Sequence, residues 1–306
     1  MSPRLSTVIL PVERWHTGGG ETWRRAEDLG FHTAYTYDHL SWRVPFRDRT
    51  WFGAVPTLTA AAGVTRRVRL GTLVTSPNFR HPVPFAKELM SLDDISGGRL
   101  TVGIGAGATG FDAEVLGRRP WEPRERFARF EEFVGLLDRL LTRDATTFEG
   151  EFYAASEARG IPGCVQRPRL PFAVAATGPR GLRVAARHGQ AWVTTGDWRL
   201  NETGTPQESL RAVRGQVERL GAALEAEGRD PAGVAKILLT GFTPEPAAPF
   251  ASVDAFVDYA GRYAEAGVDE IVIHWPIPDT IFGYDPAVFE RIALEAPAQL
   301  GAGGPA

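Results

Sequence analysis

Several things are scarce or missing in this chain of 306 residues, and each absence removes a class of protein. Cysteine occurs once, as Cys164, which excludes a disulfide framework and a cysteine-built zinc cluster. No apolar run approaches the ~18 residues of a membrane helix. The opening stretch MSPRLSTVILPVERW is too short in its apolar part for a secretory leader, so a cytoplasmic protein is expected. A basic surplus is lacking too: 34 Lys and Arg against 37 Asp and Glu leave a net charge of −3. That balance offers no footprint for nucleic acid and no polybasic patch for a membrane. Lysine stands only at positions 87 and 236, so nearly all positive charge is arginine. Also absent are a G-x-S-x-G nucleophile elbow, a Walker loop and an H-E-x-x-H pair, and no metal site is expected.

What is present is an ordinary globular composition, 43% hydrophobic and 23% charged, long enough for two domains or one large α/β barrel. One junction recurs five times: a helix-like segment, a glycine, then a β-rich run, at Gly30, Gly63, Gly97–Gly98, Gly189 and Gly267. Glycine suits the end of a helix where left-handed dihedrals are needed. Eight apolar runs read as strands, near 5–10, 32–37, 68–74, 100–105, 172–176, 190–194, 235–242 and 269–275. Between them, apolar residues at spacings of three and four mark helices, clearest at 124–141 in Phe127, Phe130, Val134, Leu137 and Leu141. Further helices fit 21–29, 51–62, 179–188, 252–266 and 284–295. This alternation predicts a single (β/α)8 TIM barrel over residues 1–300, with an insertion at about 108–171 between strands four and five. The helix 124–141 within that span is excluded from the insertion, which reads as a hairpin at 146–155 and a loop at 156–171. A doubly wound open sheet is the competing architecture, and the tail 301–306 is expected to be disordered.

In a barrel the active site lies at the carboxyl ends of the strands. Those ends read Asp38–His39, Thr75–Ser76, Gly105–Ala106–Gly107, Thr177–Gly178, Thr194–Thr195, Phe242–Thr243 and His274–Trp275. A rim rich in Gly, Thr and aromatics but poor in carboxylates suits a flat aromatic ligand with a phosphate tail. Asp38–His39 is the strongest titratable pair, because histidine exchanges protons near neutral pH. The alternative is that Asp38 caps a turn and His39 packs; His274 is a weaker candidate. Gly105-Ala-Gly107-Ala-Thr-Gly110 has the spacing of a dinucleotide fingerprint, but FDAEVLGRRPWEP after it does not read as the helix those glycines would open. Thr177, Gly178, Pro179 and Arg180 stand where a strand gives way to a helix, a ready phosphate site. Phe46, Trp51, Phe79 and Trp275 are candidate apolar walls.

Three blocks, AEDLGFHTAYTYDHL, RVRLGTLVTSPNFRHPVPFAKELMSLDDISGGRLTVGIGAG and AATGPRGLRVAARHGQAWVTTG, together resemble the bacterial luciferase-like flavin- and deazaflavin-dependent oxidoreductases. They cover about residues 20 to 200, with an echo in AGVDEIVIHW. The resemblance implies a TIM barrel and a backbone bulge behind the cofactor ring at Leu73, Val74, Thr75 and Ser76, with a non-prolyl cis bond at Leu73–Val74. It implies that Gly178, Pro179 and Arg180 hold the cofactor phosphate, with Gly105, Ala106, Gly107, Thr177 and Thr195 around the cofactor. His39 and Asp38 would serve the reacting centre, beside Trp42 as an aromatic wall. DHL together with LGTxVTxPxxRHP is most similar to the branch using the deazaflavin coenzyme F420; FMN with oxygen, in a monooxygenase fed by a separate cofactor reductase, is the alternative. A barrel that binds flavin without turnover is the third. Sugar-phosphate dehydrogenases of the deazaflavin branch carry Glu where Ala108 stands here, which points to a different small-molecule substrate. A homodimer is expected by the same resemblance.

Overall fold

The computed structural model describes residues 2–107, 111–242 and 245–302. Eight strands form its centre: β1 (Arg4–Val8), β2 (Thr33–Thr36), β3 (Arg69–Thr75), β4 (Leu100–Gly105), β7 (Phe172–Ala175), β8 (Ala191–Thr194), β9 (Ala235–Leu239) and β10 (Glu270–His274). They are parallel and close in the order β1, β10, β9, β8, β7, β4, β3, β2. Because β1 pairs with β10 on one side and β2 on the other, the sheet has no edge, and the TIM barrel stands over the open sheet. β5 (Ala145–Glu149) and β6 (Ala154–Arg159) pair antiparallel as a separate hairpin in the insertion.

Around the barrel lie α1 (Gly20–Asp28), α2 (Ala54–Val64), α3 (Pro82–Ile95), α5 (Pro123–Thr142), α6 (Pro179–His188), α7 (Pro206–Ala226), α8 (Val253–Glu265) and α9 (Pro286–Ala302). The short α4 (Phe111–Val115) precedes α5. Five of these helices start on proline, whose fixed φ suits the first turn and whose missing N–H costs nothing there. In α5, Phe130, Val134, Leu137 and Leu141 are buried as the spacing predicts, Phe127 is half-buried, and Phe133, Leu136 and Leu140 join the inward face.

Some boundaries differ, each for a local reason. α2 starts at Ala54 instead of 51, because Trp51 is held in the preceding loop by its indole N–H to the His39 carbonyl (2.8 Å). Residues 156–159, read as loop, extend β6. Gly301 and Ala302, read as part of the tail, belong to α9; 303–306 lie outside the described residues. A five-residue helix follows the glycine-rich β4 end where none was read. Gly30, Gly97, Gly98 and Gly267 have the expected positive φ, but Gly189 is extended (φ −79°) and Gly63 lies within α2.

Strand alternation fixes which side chains enter the barrel. At its lower end Glu270 accepts hydrogen bonds from Ser6 Oγ (2.8 Å) and Tyr35 Oη (3.1 Å). Moving up β2 and β10 in steps of two brings Tyr37 and His274 to the interior at the carboxyl end, whereas Asp38 and Trp275 fall on the outer side.

Candidate active site

The flat part of the mouth is made by what β4 lacks. The β3–β4 register slips between Thr72 and Thr75, and the Leu73–Val74 peptide bond is cis, at the place the resemblance indicated. Val74 lies against β4, where a Cβ on Gly105 would stand 2.8 Å from Val74 Cγ2 and 3.5 Å from Ala175 Cβ. Val74, Gly105 and Ala175 therefore form a low apolar shelf, edged by half-buried Ala106, Gly107, Ala176 and Thr195. Gly107 (φ +74°) passes so close to the Asn78 amide that a side chain would collide with it. Leu73 and Ser76 are buried beside this shelf, and Ser76 Oγ has no partner among the described residues. Thr75 is turned elsewhere: its hydroxyl donates to Asp38 Oδ2 (2.5 Å). Ala108, Thr109 and Gly110 lie outside the described residues, as does Thr243.

Beside the shelf stands His39. Its Nδ1 is 2.9 Å from Asp112 Oδ2, and Asp112 Oδ1 accepts the backbone N–H of Leu40 (2.7 Å). Asp112 is almost fully buried on α4, while the imidazole keeps about a quarter of its surface exposed. A carboxylate on Nδ1 fixes that nitrogen as the proton carrier, leaving Nε2 free to take or give a proton. Sequence reading missed Asp112, 73 residues away, because a lone Asp opening a five-residue helix carries no motif.

Asp38, the neighbour of His39 in sequence, is held from the other side. Arg80 grips both its oxygens (Nε 3.0 Å, Nη2 2.8 Å), and Thr75 adds a third bond. It faces a groove of about 780 Å³ between α2 and α3, lined also by His39, Pro56, Thr59, Phe79 and Glu88. Asp38 thus anchors the loop that presents His39, as neighbouring strand-end residues pointing in different directions allow. Phe79 belongs to this groove and lies under the Arg80 guanidinium (4.8 Å). Trp275 packs outward on Phe31 and Phe289 and is no wall of the mouth.

The walls are instead Trp42 and its neighbours. Trp42 stacks parallel to Phe282 (6.3 Å, 4°) and touches Phe46, Trp51 and Tyr37 at 5.0–5.9 Å. Phe282 also stacks on His274 at 3.8 Å. His274 is fully buried, bonded through Nε2 to Tyr37 Oη (2.7 Å), and Nδ1 has no partner among the described residues. Burial pushes its pKa down to about 3, so it is a neutral ring at working pH. The same burial pushes the Tyr37 phenol far above its ordinary value.

Across the mouth, Thr177 and Gly178 are exposed and α6 begins at Pro179 with no side chain capping its first N–H groups. Arg180 is exposed next to them, its guanidinium 4.6 Å from the Phe127 ring. Free N–H groups at a helix start attract anions. Among the described residues, no cluster of His, Cys, Asp and Glu is placed to hold a metal ion. No helix there is long and apolar enough to cross a membrane.

Comparison with known proteins bears on this arrangement. Among curated relatives, the F420-dependent glucose-6-phosphate dehydrogenase of Intrasporangium calvum is 38% identical over 178 residues, 56% of this chain and 51% of its own length. The chain thus spans about half the length of that relative. The protein of the same name from Kineococcus radiotolerans is 30% identical over 302 residues, 90% of this chain and 86% of its own. The solved coenzyme F420 dependent tetrahydromethanopterin reductase from Methanopyrus kandleri shares the fold (TM-score 0.76, 19% identity, 98% of this chain and 100% of that one). An F420-dependent secondary alcohol dehydrogenase does so too (TM-score 0.77, 18% identity, 96% and 100%). The profile of the luciferase-like monooxygenases matches residues 18–245, about three quarters of the sequence, and the chain belongs to that family.

Proposed function

We propose that this protein is an F420-dependent oxidoreductase that exchanges hydride with a small organic substrate at the barrel mouth. The observation that carries the reading is His39 held by Asp112 beside the Val74–Gly105–Ala175 shelf, with Nε2 unengaged among the described residues. The relatives named for F420 support the choice of cofactor. The residues fit such a group: a low apolar floor with no Cβ on Gly105, and uncapped N–H groups at α6 for a phosphate. A bound deazaflavin supplies the hydride acceptor or donor.

The chain's own residues do the rest. Val74, Gly105 and Ala175 present a flat surface to a ring, Thr195 edges it, and the first turn of α6 with Arg180 takes the anionic tail. Asp112 keeps the proton of His39 on Nδ1, so Nε2 is the atom that takes a proton from a substrate hydroxyl in oxidation or returns it in reduction. The Trp42–Phe282–Phe46 wall keeps water from the far side of the mouth.

The test is titration of the purified protein with oxidised F420 and with FMN. F420 is expected to bind at least about tenfold more tightly than FMN, a difference of about 1.4 kcal/mol. Tight FMN binding without F420 binding would overturn the reading in favour of a flavin monooxygenase.

A further inference from the structure

The aromatic wall carries one feature that neither proton transfer nor cofactor binding uses. Arg43, in the loop after β2, is exposed, and its guanidinium lies 5.4 Å from the Trp42 ring and 5.8 Å from the Phe242 ring. Trp42 follows β2 and Phe242 follows β9, and in the barrel β1 and β10 stand between those strands. The guanidinium therefore bridges the mouth above His274, on the side away from α6.

Among the described residues the Arg43 guanidinium has no carboxylate within ion-pair distance and no hydrogen bond, its backbone carbonyl alone accepting the Phe46 N–H (2.9 Å), and the side chains of Arg47 and Arg49 have no such partner either. That loop, SWRVPFRDR, holds three arginines against one aspartate. An arginine steadied on two rings with its donors free is arranged to meet an anion at an apolar surface. The two lysines are elsewhere: Lys87 is exposed on α3, and Lys236 bonds Pro231 O and faces Asp269 at the start of β9, the opposite end of the barrel. His274 is neutral and buried.

Resting on the hydride-transfer reading above, we propose that the substrate is a flat, largely apolar molecule bearing a single carboxylate. Arg43 anchors that carboxylate, and the apolar body lies between the Trp42–Phe242 wall and the Val74 shelf. A monoanion matches one guanidinium bidentately. A sugar phosphate would bring a dianion and several hydroxyls to a wall of aromatic rings. Leaving such groups unpaired is costly.

The experiment is equilibrium binding of three probes to the full chain, with and without F420: trans-cinnamate, cinnamyl alcohol and glucose 6-phosphate. Cinnamate is expected to bind saturably and about tenfold more tightly than the alcohol, the effect of one charge-assisted pair. Arg43→Gln should abolish that preference so that acid and alcohol bind alike. Its F420 affinity should stay within about twofold of the parent, since Arg43 lies away from α6. Tighter binding of glucose 6-phosphate than of cinnamate overturns the proposal. So does the absence of saturable cinnamate binding, or an acid-over-alcohol preference that survives in Arg43→Gln. Failure of F420 to bind the parent protein counts against the hydride-transfer reading instead, because the probes are also titrated without it.

Discussion

At His39 the chemistry turns on which ring nitrogen carries the proton, and Asp112 decides that. An Asp112→Asn amide can donate to Nδ1 as readily as accept from it, so the proton is free to move to Nε2 and the base is lost. The expected result is a fall in kcat of about 10- to 100-fold, against about 10²–10⁴-fold for His39→Ala, with F420 affinity unchanged in both. The pH–rate profile separates this from mere loosening of α4: Asp112→Asn should move its limb, which loss of packing alone would not. Sequence placed His39 at the mouth because a histidine at a strand end carries its own signal. It could not supply the carboxylate on Nδ1, because adjacent strand residues face opposite sides and Asp38 is free only to orient a loop. Asp38 goes outward to Arg80, and the true partner arrives from another βα loop.

Between elements, buried and half-buried carboxylates act as clasps on backbone that regular structure leaves unpaired. Glu27 at the end of α1 accepts the N–H groups of Arg66, Arg67 and Val68; burial alone would raise its pKa, but these bonds hold it below its ordinary value. Asp93 on α3 accepts those of Val165 and Gln166, and Glu132 on α5 accepts those of Glu151, Phe152 and Tyr153. Helix periodicity and glycine punctuation made the elements legible. These clasps were not, because each joins residues 19 to 73 positions apart with no local pattern. The insertion is fastened by an ionic hub as well. Arg169 bonds Asp138 (2.7 Å), the carbonyls of Leu170 and His188, and the Gln190 side chain, and lies 3.4 Å over the Phe172 ring. Burial alone would raise the Asp138 carboxyl, but His188 and Arg169 hold it down to about 2. Its ordinary value is 3.8, so its contribution is complete above that pH and is lost as pH falls toward 2. Asp138→Asn should cost about 2 kcal/mol at pH 7, below the range for fully buried pairs because Asp138 is partly solvated. Urea melts at several pH values should show the gap between parent and variant closing between pH 4 and 2; a gap that stays constant would remove the assigned role.

Across the whole molecule the barrel interior changes character from one end to the other, from the polar Glu270–Tyr35–Ser6 layer to a mouth split between bare glycine and stacked rings. The two inward glycines of β4 do different work in that gradient, and substitution can separate them. A Cβ on Gly103 would stand 2.2 Å from the Thr72 carbonyl oxygen and 3.1 Å from its carbon. Those are backbone atoms of the neighbouring strand, which cannot move without opening the β3–β4 ladder. Gly103→Ala should therefore cost about 3 kcal/mol or more and show as a large fall in Tm or loss of soluble protein. On Gly105 the obstruction is Val74 Cγ2 at 2.8 Å, the end of a side chain that can turn. Gly105→Ala should fold with a loss of about 1 kcal/mol, but the displaced valine rises into the shelf. F420 affinity is then expected to fall about tenfold while the melt stays close to that of the parent. Undiminished F420 binding by a folded Gly105→Ala protein would mean that the ring does not lie over β4, and the cofactor would have to be sought elsewhere at the mouth.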